Sequence, residues 1–224
     1  MGRRPHKRNR ALSRRRDDRT AERAGRQLVA GNWDTDAARR YHAATNHSYE
    51  SVRRRARPLD WASRPVPYKE YPGIPLEPLP PYLDRMLRLG AGVVRRRGDY
   101  EFRTYSSAGA LYPIEIYVAT ADGLFHFHPR ELGLRRLRDD DVRAALGGGG
   151  TVLALTGILA RTAWKYDARG YRHLFWDAGT MLANLLGLAP GEARILTGFV
   201  DDEVNAVLDV DGEEEAAVAL LQLQ

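Results

Sequence analysis

Cysteine is absent from the sequence. Disulfides, thiolate metal sites and cysteine nucleophiles are thereby excluded, and the redox compartment is left undetermined. Long apolar runs are missing as well, since none approaches the ~20 residues of a membrane span. The basic start has no apolar core, which excludes a secretory signal. "MGRRPH" lacks the Ser/Thr that myristoylation favours at the sixth position. These absences predict a cytoplasmic protein with no membrane contact. The four glycines before Thr151 are not followed by Gly-Lys-Ser/Thr, so they form no P-loop. "SSAG" lacks the G-x-S-x-G frame of a hydrolase nucleophile.

What is present is charge, unevenly spread. Residues 1–27 hold eleven Lys/Arg and three Asp/Glu, a balance of +8, while the rest of the chain balances at −2. The basic segment 1–27 reads as a disordered tail. It contains no aromatic residues of the kind that interleave in single-strand binding, so nucleic acid is not the expected partner. Residues 28–81 read as a partly amphipathic helix followed by a proline-rich strap. Eight prolines between Pro58 and Pro81 exclude a helix or central strand there. Trp61, Tyr68 and Tyr71 predict that the strap packs on a surface.

Residues 82–224 read as the main domain. Leu83, Met86, Leu87 and Gly90 repeat with helical period. Ile114, Ile116 and Val118 alternate with Glu115, Tyr117 and Ala119, which predicts a half-buried strand. Asp-Gly then predicts a hairpin into "LFHFHP". "TVLALTGIL" reads as a central strand, and "HLFWDAGTMLANLLGLAPG" as a long helix with Leu174, Ala178, Met181, Leu185 and Leu188 inward. "ARILTGFV" and "EAAVALLQL" read as strands around a short helix, "DDEVNAVL". The mixture lacks a βαβ rhythm and predicts α+β with a largely antiparallel sheet.

Several residues stand out chemically. Arg161, Lys165, Arg169 and Arg172 share one face if their segment is a single helix. Crowded like charges depress a lysine's pKa and fit it for base chemistry, with Tyr166 beside it as a proton relay. On spacing alone a solvated basic face remains open. Asp177 and Asn184 share a face of the next helix, where Asn184 can bond a heterocycle's amide edge or another core group. His126 and His128 have metal-compatible spacing without a third ligand, so no metal is expected.

"RTYSSAGALYPIEIYV" resembles the flavin-binding segment of the nitroreductase superfamily. It is most similar to the SagB/McbC-type azoline dehydrogenases, which mature thiazole- and oxazole-containing peptides. "LTGILARTAWKYDARGYRHLFWDAGTMLANLLGLA" resembles the second signature of that branch, and "TGFVDDEVNAVLDVDGEEEAAVALL" its C-terminal segment. "RYHAATNHSY" and "LDWASRPVPYKEYPGIPLEPLP" are similar to its leader segments. The resemblance covers residues 40–224. It implies a nitroreductase-like α+β fold, a mostly antiparallel sheet flanked by helices, with FMN at a homodimer interface. It implies that Ser106, Ser107, Ala108 and Gly109 let the backbone approach FMN and that Arg103 meets the phosphate; Asn184, from its place on the helix face, is the further candidate to bond the cofactor's ring. It implies Lys165 and Tyr166 as the catalytic pair, a modified peptide as substrate, and a cyclodehydratase complex as partner. Two other functions stay open: an NAD(P)H-dependent nitro or quinone reductase, and a flavin-poor, non-catalytic member of a peptide-modifying complex.

Overall fold

A computed structural model describes residues 35–54 and 58–224. The tail 1–27 lies outside the described residues, as do 28–34 and 55–57. Contacts divide the chain into two units, 1–46 and 47–224. The first contributes helix α1 (Asp36–Thr45), which ends where Asn46 turns extended. The second begins with α2 (Tyr49–Arg54) and carries everything described below.

The strap yields one short strand, β1 (Leu76–Pro78), at the edge of the sheet, where Pro78 costs no ladder bond. Helix α3 (Pro81–Ala91) starts with proline at its first position and buries Leu83, Met86, Leu87 and Gly90, the predicted stripe. A hairpin follows, β2 (Val93–Arg97) and β3 (Tyr100–Arg103), which stands apart from the main sheet. Strands β4 (Ile114–Thr120), β5 (Gly123–His128) and β6 (Gly133–Arg138) form a meander. Next come β7 (Val152–Ile158), α4 (Leu159–Tyr166), α5 (Gly170–Leu188), β8 (Ala193–Leu196), α6 (Asp201–Leu208) and β9 (Glu215–Leu223). The main sheet has seven strands in the order β1-β6-β5-β4-β7-β9-β8, with antiparallel pairing throughout. No helix among the described residues is long and apolar enough to cross a membrane.

The two sheet faces bury separate clusters. On one face, Leu83 and Met86 of α3 join Leu174, Met181 and Leu185 of α5 over Ile114, Ile116 and Val118. On the other, Val204 and Leu208 of α6 cover Tyr117, Ala119 and Ala154. This corrects the half-buried reading of β4, all seven of whose residues are buried. Alternation had suggested a wet face. In the fold α6 and the strap cover it, and Glu115 is accommodated there by charge pairing.

A second correction concerns the stretch from Arg161 to Arg172. It is not one helix. Asp167 adopts φ +51°, ending α4, and a short 3-10 turn leads into α5. The four basic residues therefore do not share a face. Arg161 is buried and ion-paired to Glu115 at 2.5 Å. Gly170 lets α5 start against α4, since a Cβ there would stand 2.6 Å from the Ala163 nitrogen.

Candidate active site

The segment from Tyr105 to Tyr112 links β3 to β4 and carries unusual backbone. Gly109, Ala110 and Tyr112 have φ of +65°, +52° and +46°. Glycine adopts this region freely, but alanine and tyrosine do so at roughly 1–2 kcal/mol each. Such strain persists where surrounding contacts over-determine it, and here they do. The buried Asp177 of α5 accepts from Ser107 Oγ at 2.5 Å and from the Ala108 N–H at 3.2 Å. Ser107 Oγ in turn accepts the Tyr112 N–H at 2.9 Å. Arg161 donates to the Tyr112 carbonyl at 3.0 Å, and the Arg103 N–H donates to the Tyr112 hydroxyl at 2.9 Å. Thr180 donates to the Ser106 carbonyl at 2.9 Å. The small residues thus build a rigid turn whose hydroxyl at Ser107 faces the protein.

Against this turn lies the Lys165–Tyr166 pair. A Cβ on Gly109 would meet the Tyr166 hydroxyl at 3.0 Å and Lys165 Nζ at 3.1 Å. Two segments more than fifty residues apart in sequence therefore converge on one glycine. Lys165 Nζ sits 5.6 Å from the Tyr166 ring centroid, and no hydrogen-bond acceptor engages it among the described residues. Tyr166 stacks on His173 with ring centroids 4.2 Å apart. Burial and then the Asp177 charge push the Tyr166 hydroxyl above its ordinary range. It stays protonated at neutral pH and can donate. Burial raises the Asp177 carboxyl too, with the Ser107 and Ala108 bonds opposing. His173 is shifted down by burial, then by Arg169 and His47, so its neutral form is favoured.

A cavity of about 880 Å³ opens against this turn. Its walls are the β2–β3 hairpin and the loop, with Tyr100, Phe102, Tyr105 and Tyr112 supplying rings. Arg97 stands at its rim, exposed and without a hydrogen-bond or ion-pair partner among the described residues.

The predicted residues divide. Ser106, Ser107 and Gly109 line the cavity, Ala108 lies in the same turn, and Lys165 and Tyr166 touch it through Gly109. Arg103 contributes to the cavity wall, but its guanidinium is engaged by protein acceptors: the carbonyls of Pro67 and Ile114 and the Tyr105 hydroxyl. The phosphate contact expected of it does not follow from this geometry. Asn184 does not line the cavity. It donates to the Thr104 carbonyl at 3.2 Å and borders a separate depression with Leu89 and Val94. His126 and His128 pair with Glu115 and Glu70, at 2.9 and 3.3 Å. Sequence reasoning missed the support given by Asp177, Arg161 and Arg64. Only Asp177 left a signal, as an acid on an otherwise apolar helix face.

The antiparallel sheet flanked by helices is a nitroreductase-like fold. No family model matches the chain. It is 29% identical over 147 residues to a Methanocaldococcus jannaschii protein named for a nitroreductase, covering 57% of this chain and 73% of that one. It is 25% identical over 133 residues to the Escherichia coli microcin B17-processing protein McbC, 49% of each chain. Among solved structures, an Anabaena variabilis protein described as a nitroreductase superimposes with a TM-score of 0.74 at 29% identity, over 82% of this chain and 45% of that one. A chain of the E. coli microcin synthetase McbBCD complex, bound to truncated pro-MccB17, matches with a TM-score of 0.55 at 17% identity, over 94% and 91%. At that identity the last match speaks for the fold alone. The chain thus spans about half the length of McbC and of the Anabaena protein.

Proposed function

We propose that this protein is an FMN-dependent oxidoreductase that dehydrogenates azolines to azoles in a modified peptide. The observation that carries this function is the packing of Lys165 and Tyr166 against Gly109, in a strained turn that walls a ring-lined cavity. The cavity suits FMN in size, since small-molecule pockets run to roughly 300–1,000 Å³. Its aromatic walls suit a flat ring system, Gly109 leaves backbone accessible, and the Arg97 cation at the rim suits a phosphate. Ser106, Gly109 and Arg97 would hold the group, with Ser107 and Ala108 building the turn through Asp177 and Arg103 bracing the wall behind. Bound there, FMN supplies the two-electron acceptor that the side chains lack.

The protein's own part is proton handling. A protonated Tyr166 hydroxyl serves as a donor that orients the substrate ring. Lys165 Nζ, with no acceptor among the described residues, takes the proton from the azoline ring carbon. Asp177 keeps the turn in place and does not touch the reacting atoms. The name of the McbC relative, a microcin B17-processing protein, supports a peptide substrate and a peptide-modifying complex; a cyclodehydratase is the partner that the proposal adds.

The test is the visible spectrum of the purified protein after FMN is added and the excess removed. Retained flavin bands at near 1:1 stoichiometry are expected. A colourless protein would exclude the oxidoreductase and favour a non-catalytic member of the complex, a role consistent with the inward-turned Arg103.

A homodimer belongs to the same proposal. The outer face of α5 exposes Phe175, Trp176 and Leu186, and the only charge between Leu174 and Leu188 is the buried Asp177. A Cβ at Gly179 or Gly187 would meet nothing within 4 Å among the described residues, so packing among them does not require these glycines. An uncharged apolar face with backbone open to close approach fits a second copy of itself. Sedimentation should give twice the 25.2 kDa chain mass. A monomer at micromolar concentration would remove the dimer from the proposal.

A further inference from the structure

The proline-rich strap reaches the active site at one residue. Arg64 lies where the strap passes the cavity. One terminal nitrogen donates to the Ala110 carbonyl at 3.2 Å and the other to the Asp99 carbonyl at 3.4 Å. Its guanidinium carbon sits 4.3 Å above the centre of the Tyr100 ring. Asp99 and Tyr100 line the cavity from the β2–β3 hairpin, and Ala110 lines it from the strained turn. One side chain thus joins two elements of the cavity wall. No carboxylate pairs with it among the described residues, and its Nε is buried without a partner. An arginine placed for stability alone would be expected to find an acid. This one is held by two carbonyls and a ring, all of them parts of the cavity.

The neighbouring strap contacts point the same way. Ser63 Oγ accepts from Trp164 Nε1 at 3.1 Å, next to Lys165 in the chain. The Pro67 carbonyl accepts from Arg103. Trp61 meets Trp164 edge-on at 5.5 Å. The strap therefore touches the helix that carries Lys165, the turn that carries Gly109 and the strand behind them.

We infer that Arg64 is a positioning residue, a clamp that fixes the Gly109–Ala110 turn relative to the β2–β3 hairpin and so sets the cavity and the reach of Lys165. Only a planar fork satisfies both carbonyls while stacking on Tyr100, so lysine is not an adequate substitute. Its catalytic consequence rests on the function proposed above; its structural consequence does not.

The test separates the two. Amide hydrogen exchange is measured on the flavin-free chain, wild type against Arg64→Ala and Arg64→Lys. Exchange at the Ala108 and Tyr112 amides should accelerate at least about tenfold in both variants, while Val118 in β4 stays protected as a control for folding. Unchanged exchange at Ala108 and Tyr112 would overturn the clamp, whether or not FMN binds. If Arg64→Ala loses protection everywhere, Arg64→Lys decides. With FMN added, both variants should lose about tenfold in kcat and shift the flavin absorption bands. Wild-type retention of FMN with identical bands and kcat in both variants would overturn the positioning role and leave the proposed function standing. Failure of the wild type itself to bind FMN would overturn that function and leave the exchange result to judge the clamp.

Discussion

Lys165→Ala is expected to retain bound FMN and to lose at least about a hundredfold in oxidation of a thiazoline- or oxazoline-containing peptide, in line with the usual 10²–10⁴ from a positioned base. Lys165 Nζ lies at the Gly109 turn, half-buried, with no acceptor among the described residues to hold it. The adjacent Tyr166 keeps its proton, because burial and the Asp177 charge push its hydroxyl up. The lysine does not line the ring-walled cavity, so its removal should leave the flavin dissociation constant within about twofold. Lys165→Arg should be as inactive as the alanine variant, since a guanidinium does not give up its proton in a protein. The same variant separates the two enzymatic functions. Reduction of a nitroaromatic by NADPH needs no base at this position and would survive in Lys165→Ala. Full azoline oxidation by that variant would exclude Lys165 as the base.

Much of the fold was legible because its signals are local. The α3 stripe, the Asp-Gly hairpin between β4 and β5, the apolar run of β7 and the face of α5 each reveal themselves within a window of ten to twenty residues. The β2–β3 hairpin escaped because "VVRRRGDYEFR" presents its strand as a run of arginines, and exposed edge strands carry charge without alternation of burial. The single helix through Arg161 to Arg172 was misread because nothing local forbids it. Only the positive φ at Asp167, imposed by packing α4 against α5, breaks it. The site was half legible. The turn and the Lys-Tyr pair could be named from sequence, but what braces them could not. Arg64 is 46 residues from Ala110, Arg161 is 49 from Tyr112, and Asp177 is 70 from Ser107. Partners at such distances are chosen by topology. Arg103 shows the converse: a resemblance can supply a ligand for a side chain, while the fold supplies three acceptors of its own.

Glu115→Gln should cost about 3–5 kcal/mol of stability, the usual price of removing one partner from a buried ion pair. Glu115 is 1% exposed in the middle of β4. It accepts from Arg161 at 2.5 Å, from His126 at 2.9 Å and from the Lys69 backbone N–H at 2.9 Å. Three separate elements, α4, β5 and the strap, thus meet at one carboxylate. Burial alone would raise its pKa, but the Arg161 charge and the His126 bond override it and hold the carboxyl at about 2. The sign of the pH dependence follows. The folded value lies below the ordinary value of 4.5 for a glutamate carboxyl, so the contribution is complete above pH 4.5 and is lost as pH falls towards 2. Urea denaturation between pH 7 and pH 2 should show this slope in the wild type and a flatter one in Glu115→Gln. The consequence extends to function, because Arg161 also holds the Tyr112 carbonyl. An Arg161 left without its carboxylate has reason to turn towards solvent and release the turn that faces Lys165. Glu115→Gln combined with Arg161→Met removes both charges, and should recover part of the stability while the Ala108 and Tyr112 amides still exchange faster than in the wild type. A Glu115→Gln protein within about 1 kcal/mol of the wild type would mean that water reaches this network and that the core beneath the strap is not closed.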